Sequence, residues 1–347
     1  MKSRLVRNAC WIVPVMLLAA CGGGGDGGGG AAPPATQTPT AGQLVVTDSN
    51  AQAVAAEVLE TSTNIDAAQI GTGIVTGVQV DGGGAANAVV LSQVARDLMS
   101  KSTGTALATG ATVTRNCQFG GTLVVTDTSA SSTVAQAGDQ FSVVATNCLD
   151  PLGNTGTQVL LNGSMTLKVL SGTFDSTSST FPKNVTLQLI ASNFAVTQAG
   201  VKSTANGDLT MDISETSASD STLLLKATSL STSVEKSGVS HTITLKNYTH
   251  AVAQTSTQAT VSITATVESN NPRLGSGVFN YQLSTLSPVV ITSSGYNAGS
   301  LKVVASHSGL QLGVGPTNNF SLQVDTNGDG GFETTTSVTR AQLEALI

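Results

Sequence analysis

From residue 119 onward, apolar and polar side chains alternate with a period of two. Leu187-Leu189-Ala191, Leu209-Met211-Ile213, Leu223-Leu225-Ala227, Val261-Ile263-Ala265-Val267 and Leu301-Val303-Ala305 are each interleaved with Thr, Ser, Gln, Asp or Lys. Such alternation predicts strands with one face in a core and the other in water. Roughly a dozen strands fit in the remaining length. Asn162-Gly163 and Asn206-Gly207 fall between apolar runs and suit the positive φ angles of type I′ hairpin turns. Strands joined so closely must be antiparallel.

Ahead of that region the period lengthens. The run 50–65 follows Ser49, a candidate cap with Gln52 three residues on, and places Val54, Val58 and Ile65 near one face. The run 85–101 carries Val90, Val94 and Leu98 at four-residue spacing, with Arg96, Asp97 and Lys101 elsewhere. A last short helix is expected after Thr339, with Gln342 at the third position of a capping box. The expected fold is mainly β (β-rich α+β): a large antiparallel sheet, sandwich or half-open barrel, with two N-terminal helices packed on it and a short C-terminal helix.

Composition narrows this. Charged residues are 10% and apolar ones 40% of 347 residues, so the chain is neither disordered by charge nor built from ion-paired helices. A membrane-spanning barrel would need two aromatic girdles, yet the chain has eight Phe, three Tyr and one Trp, Trp11. No fixed repeat supports a solenoid.

The N-terminus reads as an address. Lys2, Arg4 and Arg7 precede an apolar stretch with Pro14 inside it, and small residues follow. This is the three-part pattern of a secretory signal, too short to remain as a spanning helix. Leu18-Ala19-Ala20-Cys21 resembles the bacterial lipobox, which implies cleavage before Cys21 and acylation of its thiol. Two or three acyl chains exceed the marginal binding of one. Gly22 stands where inner-membrane retention would favour Asp, so the expected location is the outer membrane, with the lipid surface as partner. Of 15 basic residues three leave with the leader, and the twelve left against 21 acidic ones give −9. That balance argues against nucleic acid as a partner. Residues 1–20 are thus the expected signal, 21–42 the lipidated Cys and a Gly/Pro/Thr-rich tether, and 43–347 one β-rich domain.

Beyond Cys10 of the leader and Cys21, two cysteines remain. Cys117 and Cys148 flank the strand-like runs 119–126 and 140–146, whose pairing would bring them within disulfide reach in an oxidising compartment. Cys117 with Gly120-Gly121, Gly138-Asp139, Asn147-Cys148 and Leu161-Asn162-Gly163 resembles a group of uncharacterised proteobacterial lipoproteins. These motifs are structural, and the resemblance implies no activity.

Candidate chemistry is sparse. There is no Gly-x-Ser-x-Gly elbow and no His-Glu-x-x-His. Ser233-x-x-Lys236 has a serine–lysine spacing but falls at a strand end, and His241, His250 and His307 are expected as exposed strand or turn residues with no ligand partner nearby. One segment does carry chemistry: Asp325-Thr-Asn327-Gly-Asp329-Gly-Gly331-Phe-Glu333. Oxygens at relative positions 1, 3, 5 and 9, a carbonyl at 7 and a glycine at 6 match what Ca²⁺ asks of a short loop. The loop looks like the Asp-rich calcium hairpins of extracellular proteins, with Thr336 in place of a twelfth-position Glu and strands in place of helices. The expected metal ligands are Asp325, Asn327, Asp329, Gly331 and Glu333.

The functional expectation is a non-catalytic, lipid-anchored envelope protein with a structural or binding role and a calcium-stabilised hairpin. The alternatives are a carrier holding a hydrophobic ligand or acyl chain in a half-open barrel, and a hydrolase whose residues carry no recognisable motif.

Overall fold

The structure, a computed structural model, describes residues 42–62, 88–103, 112–128, 134–151, 158–174 and 180–346. The leader, Cys21 and the tether up to residue 41 lie outside the described residues, as do 63–65 and 85–87 of the two expected helices. The chain begins with helices α1 (Ala51–Ser62) and α2 (Ala88–Thr103). Strands β1 (Thr112–Asn116), β2 (Thr122–Asp127), β3 (Ala135–Gln136), β4 (Gln140–Pro151), β5 (Gln158–Phe174), β6 (Lys183–Gln198) and β7 (Val201–Glu215) follow. Then come β8 (Ser221–Lys236), β9 (Val239–Gln254), β10 (Gln258–Ser269), β11 (Phe279–Thr292) and β12 (Gly295–Ala305). Strands β13 (Ser308–Val314), β14 (Asn319–Asp325) and β15 (Thr334–Thr339) and helix α3 (Arg340–Glu344) close the chain.

All of these strands join one 15-stranded antiparallel sheet in nearly sequential order, β3 alone leaving the path to pair with β5. The order β1-β2-β4 through β15 is a meander: β1 pairs with β2, β15 pairs with β14, and the ladder does not close. A sandwich would need two sheets, so the single open sheet decides that alternative. The alternation read from sequence falls in β6, β7, β8, β10 and β12, and their burial alternates in the same phase. Strand β1 was not foreseen, because Val113 is the one apolar residue it sets against the core and a single apolar position makes no alternation.

The two Asn-Gly pairs are not hairpin turns. Asn162-Gly163 lies inside β5 and Asn206-Gly207 inside β7. The register shifts there and at matching points in every pair from β4/β5 to β7/β8, again from β9/β10 to β11/β12. These are β-bulges, each adding an unpaired residue, a bend and extra twist. Asn147 and Asn193 take φ of 47° and 48° at the bulges of β4 and β6. Their freed N–H groups donate to Asn162 Oδ1 and Asn206 Oδ1, both at 2.8 Å. A Cβ on Gly163 would stand 2.1 Å from the Asn193 carbonyl oxygen, so the bend needs glycine for space as well as for its φ of 97°. Asn-Gly thus serves the positive-φ demand of a bulge with the same local preference that suits a turn.

The row of bends gives the sheet a curl, and α1 lies within it. Ten of the twelve residues of α1 are buried, on every side of the helix. A helix resting on a flat sheet would bury only one stripe. It touches β10, β13, β14 and α3, and its last carbonyl meets β9. Its start differs from the sequence reading: Asn50, not Ser49, prepares the first turn, with Asn50 Oδ1 accepting from Thr47 N and Asn50 O from Val54 N. Ser49 shares a hydroxyl hydrogen bond with Thr47. Helix α2 buries Val90, Leu91, Val94, Ala95 and Leu98 and packs against β8. The Thr339–Gln342 capping box forms at α3 as expected.

Cys117 and Cys148 are bridged, with Cα atoms 5.4 Å apart. The strand pairing is β2 with β4, but the bridge does not link hairpin ends. It ties the β1–β2 turn to the bulge beside Asn147, inside a β4 that runs on to Pro151.

Candidate metal-binding hairpin and buried polar groups

The Asp-rich segment joins β14 to β15, so strands flank it as expected. Asp325 ends β14 nearly buried, and its carboxylate is the hub of the loop. Oδ1 accepts from Asn327 N at 3.2 Å and Gly328 N at 2.6 Å, and Oδ2 accepts from Gly330 N at 3.0 Å. Asp329 Oδ1 accepts from Gly331 N at 2.7 Å. Glu333 folds back so that Oε2 accepts from Thr326 N at 2.7 Å and Oε1 from Asn327 Nδ2 at 2.9 Å. Gly328 and Gly330 turn the chain at φ of 78° and 88°. The tip rests on the β12–β13 turn: a Cβ on Gly328 would be 2.8 Å from the His307 backbone.

One oxygen each of Asp325, Asp329 and Glu333 lies within 4.8 Å of the other two. Oxygens around a Ca²⁺ at 2.3–2.6 Å can be no farther apart than about 5 Å, so these three fit one coordination shell. The other two expected ligands are placed differently. Asn327 uses Oδ1 to accept from Asp329 N at 2.8 Å and its amide nitrogen on Glu333. Gly331 sits in the loop with its N–H engaged by Asp329. Thr336, at the twelfth position, pairs with Leu322 in the ladder and stands apart from the loop.

The interior holds polar groups the sequence reading missed. Glu57 of α1 is buried and accepts three hydrogen bonds: from Tyr281 Oη at 2.7 Å, Ser269 Oγ at 2.8 Å and Asn271 Nδ2 at 2.9 Å. Desolvation raises its pKa above the usual carboxylate value, against the lowering effect of the three donors. His250 of β9, expected as exposed, is wholly buried, with Nε2 2.9 Å from the Ser62 carbonyl at the end of α1. Nε2–H donates to that carbonyl, satisfying an orphan acceptor of the helix C-terminus. Burial lowers its pKa to about 4. The ring stacks on Tyr248, and Tyr248 Oη and His250 Nδ1 have no hydrogen-bond partner among the described residues. Arg96 of α2 meets Glu215 of β7 at 3.4 Å, both buried, and Lys183 approaches the other Glu215 oxygen at 4.0 Å. Desolvation brings the Arg96 pKa down to about 10 with Glu215 opposing, so the guanidinium stays charged at neutral pH.

A signal for Glu57 was present: it and Glu60 are the only charged residues of an Ala/Val/Leu-rich helix with no polar face wide enough to hold them in water. For His250 there was none, since strand alternation gives its phase only once the register is known. Ser233 and Lys236 stand at the end of β8, at the half-buried and exposed positions expected there. Comparison of the chain with protein-family models, curated proteins and solved structures gives no match.

Proposed function

We propose that the mature protein is a non-catalytic, lipid-anchored protein of the bacterial outer envelope, with a binding or structural role. The observation that carries this is Leu18-Ala19-Ala20-Cys21 behind a basic and apolar leader, followed by a tether of Gly, Pro and Thr. Two features support it: the Cys117–Cys148 bridge suits an oxidising compartment, and among the described residues no helix is long and apolar enough to cross a membrane. The anchor is thus assigned to acyl chains on Cys21, and the Asp325–Glu333 loop to calcium as a stabiliser of the last hairpin. The deciding experiment is metabolic acyl labelling of wild type and Cys21→Ala. Label on wild type alone supports the anchor, and equal label on both defeats it.

A carrier is the second reading. It is favoured by the position of α1 inside the curl of one open sheet, beside buried polar atoms of Tyr248 and His250 that have no hydrogen-bond partner among the described residues. Native mass spectrometry of the protein extracted from its own membrane would test it, a co-purifying acyl species being the expected result and ligand-free protein the contrary one.

A further inference from the structure

We propose that the end of the sheet from which the tether leaves rests on the lipid surface, with Val239, Val278 and Phe332 seated in the bilayer interface. This rests on the acyl anchor at Cys21 and does not depend on calcium. The fold fixes the exit point. Gly42 O accepts from Asn280 N at 2.9 Å, Gln43 bridges Asn280 in parallel, and Leu44 O accepts from Ser306 N at 2.9 Å. Leu44 and Val46 beyond it are buried. Because the bridge is parallel, Gly42 stands at the end of the sheet where β11 begins. Twenty residues, 22–41, separate it from Cys21. A Gly-rich chain of that length spans about 25 Å by the square-root law. Strand β8, with 16 residues, is about 50 Å long, so the near end of the sheet lies within that span of the lipid and the far end does not.

The two ends of the sheet differ in kind. At the exit end Val239 opens β9 at 56% exposure, Val278 precedes β11 at 48%, and Phe332 precedes β15 at 44%. All three lie on segments tied to the exit. Val278 is two residues from Asn280, which holds Gly42. The loop of Phe332 rests on the backbone of His307, next to Ser306. The start of β9 is joined to the segment before β11 by a hydrogen bond from Thr242 N to Asn270 Oδ1. Phe119, in the β1–β2 turn, is also exposed at this end. At the opposite end the β7–β8, β9–β10 and β11–β12 turns read Thr-Ser-Ala-Ser-Asp, Thr-Ser-Thr and Ser-Ser. Among the described residues, only the flanks of the β5–β6 connection expose large apolar side chains there, Leu170 and Phe181. Single exposed apolar residues are ordinary, but a group of them around the root of a membrane tether has lipid within reach to cover it. Asp329 and Glu333 beside Phe332, and Lys236 in the turn of Val239, hold the contact at head-group level, where their charges stay hydrated.

The test places one tryptophan at a time in the full chain, as Val278→Trp, Phe332→Trp or, at the far end, Leu170→Trp. Each variant is reconstituted in phosphatidylcholine vesicles brominated on the upper acyl chain, where bromine quenches indole on contact. All three positions are exposed, so the core is untouched, and the Leu170 variant matches the indole's own affinity for lipid. The wild-type chain, whose one Trp is Trp11 of the leader, sets the background. The chain is expected to float with the vesicles and to lose indole fluorescence at 278 and 332 while keeping it at 170. A chain that floats with 278 and 332 still bright, or with 170 dimmed as much, overturns the docking and leaves the anchor standing. A chain that does not float defeats the anchor and this proposal with it.

Discussion

His250 shows how much one side chain can carry. Its ring closes the C-terminus of α1 from β9, and it does so as the neutral imidazole, because burial brings the pKa from 6.5 to about 4. A folded-state pKa below the unfolded one means stability is present above pH 6.5 and is lost as pH falls toward 4. A difference of that order corresponds to at most about 3 kcal/mol. Urea midpoints at pH 4.5 and 7.5 should therefore differ less in His250→Gln than in wild type, since glutamine can still donate to Ser62 O but does not titrate. An unchanged pH dependence in the variant would show that another group dominates. Glu57 works in the opposite sense. Its raised pKa makes the protonated form favourable in the fold, so its contribution is greatest below the unfolded value and declines as pH rises through the folded one. Glu57→Ala would leave the Tyr281, Ser269 and Asn271 donors buried without their acceptor, and should cost about 2–4 kcal/mol in denaturant unfolding at neutral pH.

At the scale of elements, the bulge row and the last hairpin make separate demands. Gly163 and Gly200 both have positive φ, yet a Cβ at 163 would meet the Asn193 carbonyl oxygen at 2.1 Å, while at 200 nothing lies within 4 Å. Gly200→Ala should cost about 1–2 kcal/mol for the left-handed backbone alone. Gly163→Ala must also move a strand, and should exceed that by about 2 kcal/mol or fail to fold. Equal losses in a thermal or urea comparison would argue that the bulges are soft. In the β14–β15 hairpin, three carboxylates within one shell repel one another, and a divalent cation offsets that repulsion. With a dissociation constant of 10⁻⁴–10⁻³ M, about millimolar Ca²⁺ adds roughly 0.4–1.4 kcal/mol. A rise in melting temperature of about 1–4 °C is expected. It should vanish in Asp325→Ala, though that variant also loses the acceptor for Asn327, Gly328 and Gly330 N–H and starts from a lower baseline. Glu333→Gln should shrink the rise with less loss of baseline. A calorimetric titration without heat at several millimolar Ca²⁺ would remove the metal from the account.

For the whole molecule, the sheet is an open meander whose first strand is held at one edge by β2 and by the Cys117–Cys148 bridge. Removing the bridge as Cys117→Ser/Cys148→Ser should cost about 2–5 kcal/mol. Hydrogen exchange should locate the loss at β1, β2 and the start of β4 and leave β6–β11 protected, because those long strands are each paired on both sides. Loss of protection throughout would show that the edge and the centre unfold as one.

The sequence by itself determined the five alternating runs that lie in β6, β7, β8, β10 and β12 and which of their faces is apolar, the place of the helices, the pairing of the two body cysteines, and the convergence of acids in the last hairpin. Each of these follows from local pattern: period-two burial, capping residues, or ligand spacing within a nine-residue loop. The tertiary structure alone decided where the positive-φ residues act. Asn-Gly prefers the same backbone in a type I′ turn and in a bulge, and only the register of β4, β5 and β6 places Asn162-Gly163 in the middle of a strand. It alone decided that one sheet curls around α1, that Glu57 meets Tyr281 across 224 residues, and that His250 reaches Ser62 across 188. Contacts at such separations depend on the summed twist of many strands and the offsets of their bulges, quantities that no window of local sequence contains.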